Sequence, residues 1–204
     1  MEKVVITEEL VRDLVSQSYR IAKGHGFHDD YHSPAHYMML VLSEIGEMVE
    51  ADRKNRHTIY SAVEYCDKHI DEIDVVSRNR YFERDVKDTF EDEMADVVIR
   101  LCDFCGSLGI IPHMNAIMVD MSDEFRGIFG SMSVCEQCFY LSSMLVDIEK
   151  WSHDANDTEM RHHLGSTLSF IFEMAYYYNI DLLWHIARKM EYNEHRPNKH
   201  GKAY

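Results

Sequence analysis

An all-α helical bundle is the fold this chain predicts. Apolar residues recur at helical spacing through most of the 204 residues, only nine Gly and three Pro interrupt them, and no stretch alternates as a strand would. The first helix is expected from about Thr7, a side-chain cap, to Ala22 or Lys23, stopping at Gly24-His25-Gly26. Ser33-Pro34, a cap followed by proline at the first helical position, starts the second, which runs to about Lys54. Over residues 57–74 the periodicity is weaker, carried by Ile59, Val63, Cys66 and Ile70 amid many charges. Asp88 with Glu91 three residues on reads as a capping box opening a helix to Cys105, ended by Gly106 and Gly109. Further helices are expected over residues 113–125, 132–151, 159–178 and 181–194.

Composition narrows the function classes. Apolar content of 46% and charged content of 28% are those of an ordinary globular protein, long enough for one domain or two small ones. There is no N-terminal apolar run and no stretch of about 18 apolar residues, so neither export nor a membrane span is indicated. Five cysteines, an odd number, are expected to be free thiols in a reducing cytoplasm. A net charge of −15 argues against a nucleic-acid partner. It does not exclude a small anionic substrate, because Arg188, Lys189, Arg196, Lys199 and Lys202 cluster near the C-terminus.

Two acidic pairs carry the chemistry. Glu44 and Glu47 have i, i+3 spacing and share a helical face with Leu40 and Ala51; Glu93 and Asp96 share theirs with Phe90, Val97 and Phe104. Carboxylates on an apolar stripe are costly to bury unless neutralised. If the two helices face each other, four hard oxygen ligands converge, a set that suits Mg²⁺ or Mn²⁺.

The chain also echoes itself. Leu42-Ser43-Glu44 recurs as Leu141-Ser142-Ser143, and Gly109-Ile110 through Met121 recurs as Asn179-Ile180 through Met190. In that alignment Glu44 and Glu47 become Ser143 and Val146, and Glu93 and Asp96 become His162 and Gly165. The expected organisation is a tandem repeat, a pseudo-dimer. Residues 1–126 keep the acids, and residues 127–204 form a degenerate copy with the basic element.

These motifs resemble the all-α nucleoside triphosphate pyrophosphohydrolases, the MazG-like and dimeric-dUTPase group, whose signature is a Glu-x-x-Glu helix followed by a Glu-x-x-Asp helix. Here Leu42-Ser-Glu-Ile-Gly-Glu-Met-Val-Glu-Ala51 and Asp92-Glu-Met-Ala-Asp-Val-Val-Ile-Arg100 carry it. The tail from Lys189 through Asn193, Arg196 and Lys199 is similar to the family's Lys-x-x-x-Asn-x-x-Arg element. Two departures stand out. The gap between the acidic pairs is long, which implies an insertion near residues 55–85. Residues 119–126, where the first copy would carry its basic element, lack its Lys and Asn.

The resemblance implies hydrolysis of an NTP or dNTP to the monophosphate and pyrophosphate, in nucleotide-pool housecleaning. Mg²⁺, or Mn²⁺, on Glu44, Glu47, Glu93 and Asp96 would bridge phosphates and make water nucleophilic near neutral pH. Glu47 is the assigned general base. Lys189 and Arg196 would balance phosphate charge, and Asn193 would bond phosphate or sugar. Tyr192 and Lys199 belong to the same substrate-binding tail, with Tyr192 equally readable as packing. Whether the tail serves its own chain's centre or a partner's stays open; a homodimer is expected, since paired helices leave an apolar face to cover.

Blander readings stand beside these. Acidic i, i+3 pairs are commonly solvated surface, and Lys189, Asn193 and Arg196 have a second, minority reading as a basic helix end complementing the macrodipole. His25, His28, His32 and His36 are loop polar groups or contacts to base or phosphate; Tyr31 and Trp184 are core aromatics or base-stacking ones. Cys102-x-x-Cys105 and Cys135-x-x-Cys138 have zinc-site spacing, yet buried free thiols are simpler for a helix interior. A di-iron carboxylate oxidoreductase needs two Glu-x-x-His pairs, and only Glu159-Met-Arg-His162 is present. An inactive helical scaffold is the third alternative.

Overall fold

The computed structural model describes residues 5–70, 72–114, 117–118, 127, 129–152 and 157–201. The helices are α1 (Glu8–Gly24), α2 (Pro34–Arg53), α3 (Tyr60–Lys68), α4 (Val75–Asp85), α5 (Phe90–Leu108), α6 (Val134–Ser152), α7 (Asp157–Tyr177) and α8 (Leu182–Glu194), with a short 3₁₀ turn at Asn198–Gly201. The all-α expectation holds. Local chemistry sets the ends: Thr7 Oγ1 accepts from Leu10 N at 3.1 Å, and Ser33 Oγ accepts from His36 N at 3.3 Å ahead of Pro34. Asp181 Oδ1 accepts from Trp184 N at 3.1 Å to start α8.

Three expectations are corrected. Thr89, not Asp88, caps α5: its Oγ1 accepts from Asp92 N, while Asp88 takes a left-handed φ of 58° outside the helix. Glu91 therefore closes no capping box; its Oε2 accepts from Thr58 N at 3.1 Å. The helix expected over residues 113–125 does not begin there. Pro112 lacks an N–H, His113 N donates to Arg161 O at 3.0 Å, and Ile117–Met118 pairs antiparallel with Val5–Ile6 (β2 and β1). Residues 115–116 and 119–126 lie outside the described ones. Finally, residues 55–85 hold a second helix, α4, beyond the weak one foreseen, capped by Asp74 accepting from Ser77 N at 2.8 Å.

α5 is the central rod. It packs against α1, α2, α7 and α8, and α6 packs on both α2 and α7. Val97, Val98, Leu101, Cys102, Phe104 and Cys105 are all buried along it, each large apolar side chain contributing about 1.5–3 kcal/mol. One contiguous apolar core runs from Ile6 to Met190; a small second cluster joins Phe82 and Val86 of the α4 region to Tyr192 of α8. Among the described residues no helix is long and apolar enough to cross a membrane.

Candidate functional site

α2 and α5 lie side by side, and their contact brings the acidic pairs together. Glu44, Glu47 and Glu93 each offer an oxygen, all within 4.8 Å of one another; Glu44 and Glu93 are buried and Glu47 is exposed. All three donors are hard carboxylate oxygens, a set that fits Mg²⁺ or Mn²⁺. Asp96 is outside this trio. Its Oδ2 lies 2.7 Å from Lys189 Nζ, which also donates to Asp92 Oδ2 at 2.6 Å. Arg100 Nε donates to Glu44 Oε1 from the other side.

The electrostatics follow from burial. Loss of hydration, then the neighbouring Asp96 charge, pushes the Glu93 carboxyl up to about 9. Burial and then Asp96 also raise Glu44, against the opposing pull of Arg100. Burial alone draws Lys189 toward neutrality, but Asp96 and Asp92 outweigh it and hold the ammonium charged. A carboxylate cluster of this kind is unstable as a set of bare anions and welcomes a divalent cation.

The acids line a cavity of ≈ 230 Å³. Lys87, Lys189, Asn193 and Arg196 line it too, as do Ser18, Phe27, His32, His36, Tyr37 and Asp103. Ser18 and Asn193 are buried, and Ser18 Oγ and Asn193 Oδ1 have no hydrogen-bond partner among the described residues. Among the described residues no carboxylate lies within salt-bridge distance of Arg196, whose guanidinium sits over the Tyr192 ring at 5.6 Å. The site thus joins an acidic trio, a fixed ammonium, a guanidinium with no carboxylate partner among the described residues, and a mixed polar and aromatic recess.

The C-terminal residues divide. Lys189, Asn193 and Arg196 reach the cavity; Tyr192 and Lys199 do not line it. The Tyr192 hydroxyl donates to Glu83 Oε1 at 2.9 Å and its ring stacks on Phe82 at 4.8 Å, beside a smaller cavity of ≈ 40 Å³. Lys199 Nζ is 3.6 Å from Asp30, and its backbone N donates to His25 O. Lys202 lies outside the described residues. Tyr31 is 89% exposed, and Trp184 Nε1 donates to Asp67 Oδ2 at 2.7 Å, away from the acids. Of the histidines, His32 and His36 stack at 4.1 Å on the cavity wall, and His28 bridges Asp103 (2.7 Å) and the Tyr37 hydroxyl (3.2 Å). Cys102, Cys105 and Cys138 are buried free thiols, Cys102 and Cys138 pushed up to about 12 by burial, and Cys135 is exposed.

Lys87, Ser18, Phe27, Tyr37 and Asp103 of the lining were not singled out from the sequence, and neither were two ion-pair partners in the acidic cluster, Asp92 and Arg100. A signal for both existed: Asp92, Asp96 and Arg100 recur at four-residue spacing on the face that carries Glu93. The fold and site define a helical bundle with an acid-walled cavity. Comparison with family models, curated proteins and solved structures gave no match in any of the three.

Proposed function

We propose that this chain is a Mg²⁺-dependent nucleoside triphosphate pyrophosphohydrolase of MazG-like build. The observation that carries the reading is the convergence of Glu44, Glu47 and Glu93 within 4.8 Å, lining a cavity that Lys189 and Arg196 line as well. When bound, a divalent ion supplies Lewis-acid chemistry, drawing charge from phosphate oxygens and acidifying water. The chain's own residues do the rest. Arg196 offers paired donors to phosphate oxygens. The unpartnered Asn193 Oδ1 is an acceptor for a sugar hydroxyl. The part of the cavity lined by Ser18, Phe27, His32, His36 and Tyr37 seats the base. In the hydrolytic step a water oxygen bonds one phosphorus of the α–β anhydride, the bridging P–O bond breaks, and a proton leaves to Glu47, the exposed member of the trio.

The tandem-repeat organisation belongs to the same proposal. α2 with α5 and α6 with α7 pair alike, and Gly109 (φ 67°) and Asn179 (φ 59°) end the equivalent helices in the left-handed region. At Gly165, the counterpart of Asp96, a Cβ would sit 2.0 Å from His113 O, so the second copy has no room for an acid there. The expected homodimer also stays, with the exposed Phe139 and Val146 of α6 among the side chains a second copy would cover.

The test is pyrophosphate release from a panel of NTPs and dNTPs with Mg²⁺, Mn²⁺ or EDTA. Metal-dependent release from at least one nucleotide is expected. Iron with a visible absorbance band points instead to a di-iron oxidoreductase, and silence across the panel to a scaffold.

A further inference from the structure

Five carboxylates meet along α2 and α5, and a side chain of the protein already occupies two of them. Lys189 Nζ lies 2.6 Å from Asp92 Oδ2 and 2.7 Å from Asp96 Oδ2. Those acids are four residues apart on α5, so a single ammonium spans both from one face. Lys189 is only 4% exposed, and its ammonium lies 5.7 Å from the centre of the Phe82 ring, so packing as well as charge fixes it. Asp92 is fully buried and does not line the cavity, so an ion entering from the cavity meets Lys189 and Asp96 first. Among the described residues Asp92 Oδ1 is buried without a partner, an oxygen that a small cation would grip if one could reach it.

Building on the metal-site reading above, we propose that Lys189 is the site's second cation. Its tethered ammonium takes, between Asp92 and Asp96, the place of a second divalent ion. The protein then holds one divalent ion of its own, on Glu44, Glu47 and Glu93. Charge supports the count. With every acid ionised, the six acids of the lining and Asp92 stand against four bases, leaving three negative charges, which one divalent ion lowers to one and a second would reverse before any nucleotide arrived. Lysine suits the task as a compact point charge with three donors that asks for no coordination geometry. Ions that travel with the nucleotide's phosphates are separate from this count, which concerns the protein alone. Lys189 is on this view a positioning residue, holding Asp96 away from the ion.

Mn²⁺ titration of the full chain without nucleotide, followed by electron paramagnetic resonance, tests the proposal. Wild type is expected to bind one Mn²⁺ per chain. Asp96→Asn is expected to weaken that binding by less than about tenfold, and Glu93→Gln by about a hundredfold or more. Lys189→Ala is expected to add a second, weaker Mn²⁺ where Asp92 and Asp96 are freed. If that variant does not fold, the Asp96→Asn and Glu93→Gln comparison decides alone. Two equally tight ions in wild type, equal losses in Asp96→Asn and Glu93→Gln, or a folded Lys189→Ala with no second ion would each overturn the inference. Two ions together with pyrophosphate release leave the pyrophosphohydrolase reading standing; no Mn²⁺ binding at all sinks the metal site and this inference with it.

Discussion

Glu93 concentrates the conflict that defines the site. It is 2% exposed and has Asp96 and Glu44 as neighbours, so without a metal its carboxyl is pushed up to about 9. Its value in the unfolded chain is about 4.3. Between those values the native protein holds a proton that the unfolded chain has released, so stability falls as pH rises through the window. In chelator, the melting temperature is therefore expected to decline from about pH 6 to pH 9, and Glu93→Gln to flatten the slope, since an amide has no proton to lose. Thermal melts of both proteins check this; identical slopes contradict it. At this scale the sequence was legible where spacing alone decides: Glu44, Glu47 and Glu93 do converge. It was silent on the claim that Lys189 makes on Asp96. That ion pair joins α5 to α8 across 93 residues of chain, and no periodicity encodes it.

α5 shows how an element delivers such residues. Thr89 accepts from Asp92 N, shares a hydrogen bond with Thr58 Oγ1 at 3.0 Å, and donates to Val86 O at 2.6 Å. This places the first turn so that Asp92 and Glu93 point inward. Thr89→Ala removes the cap and leaves Thr58 short of a partner in a buried spot, at an expected cost of about 1–2 kcal/mol. Urea unfolding with an unchanged m-value is the check; a variant as stable as wild type would show that packing alone fixes the end of α5. Thr7 and Ser33-Pro34 were readable in advance as helix starts; Gly109 does end α5, but the helix runs on through Gly106, expected to stop it at Cys105, and Asp181 is a cap rather than the first helical residue. α4 was not readable. Its buried residues are only Phe82 and Asp85, too few to draw an apolar stripe among its charges. The displaced cap at Thr89 was hidden because Asp88 and Thr89 are both good caps, and only the backbone turn at Asp88 chooses between them.

Over the whole molecule, one apolar core ties the acidic half to the basic one, and α8 reaches back to the cavity from the far end of the chain. The acid trio and Arg196 thus line one cavity within a single chain. A second copy is then not needed to complete that cavity, and its role in the proposal is to cover apolar surface, Phe139 of α6 at 77% exposure included. Light scattering is expected to give twice the 24.0 kDa of the chain, reduced to a single chain's mass by Phe139→Glu. A monomeric wild type contradicts the dimer without touching the site. The all-α class was legible because helical periodicity is local; the packing partners were not, because which stripe meets which is decided by contacts far apart in sequence.

The most direct test of the central claim is ³¹P NMR of a turned-over nucleotide, run on wild type and Glu93→Gln in Mg²⁺. Wild type should yield monophosphate and pyrophosphate, with the variant slower by about a hundredfold or more while its helical circular dichroism is unchanged. Orthophosphate as the product, or a Glu93→Gln protein that works at the wild-type rate, would contradict the account.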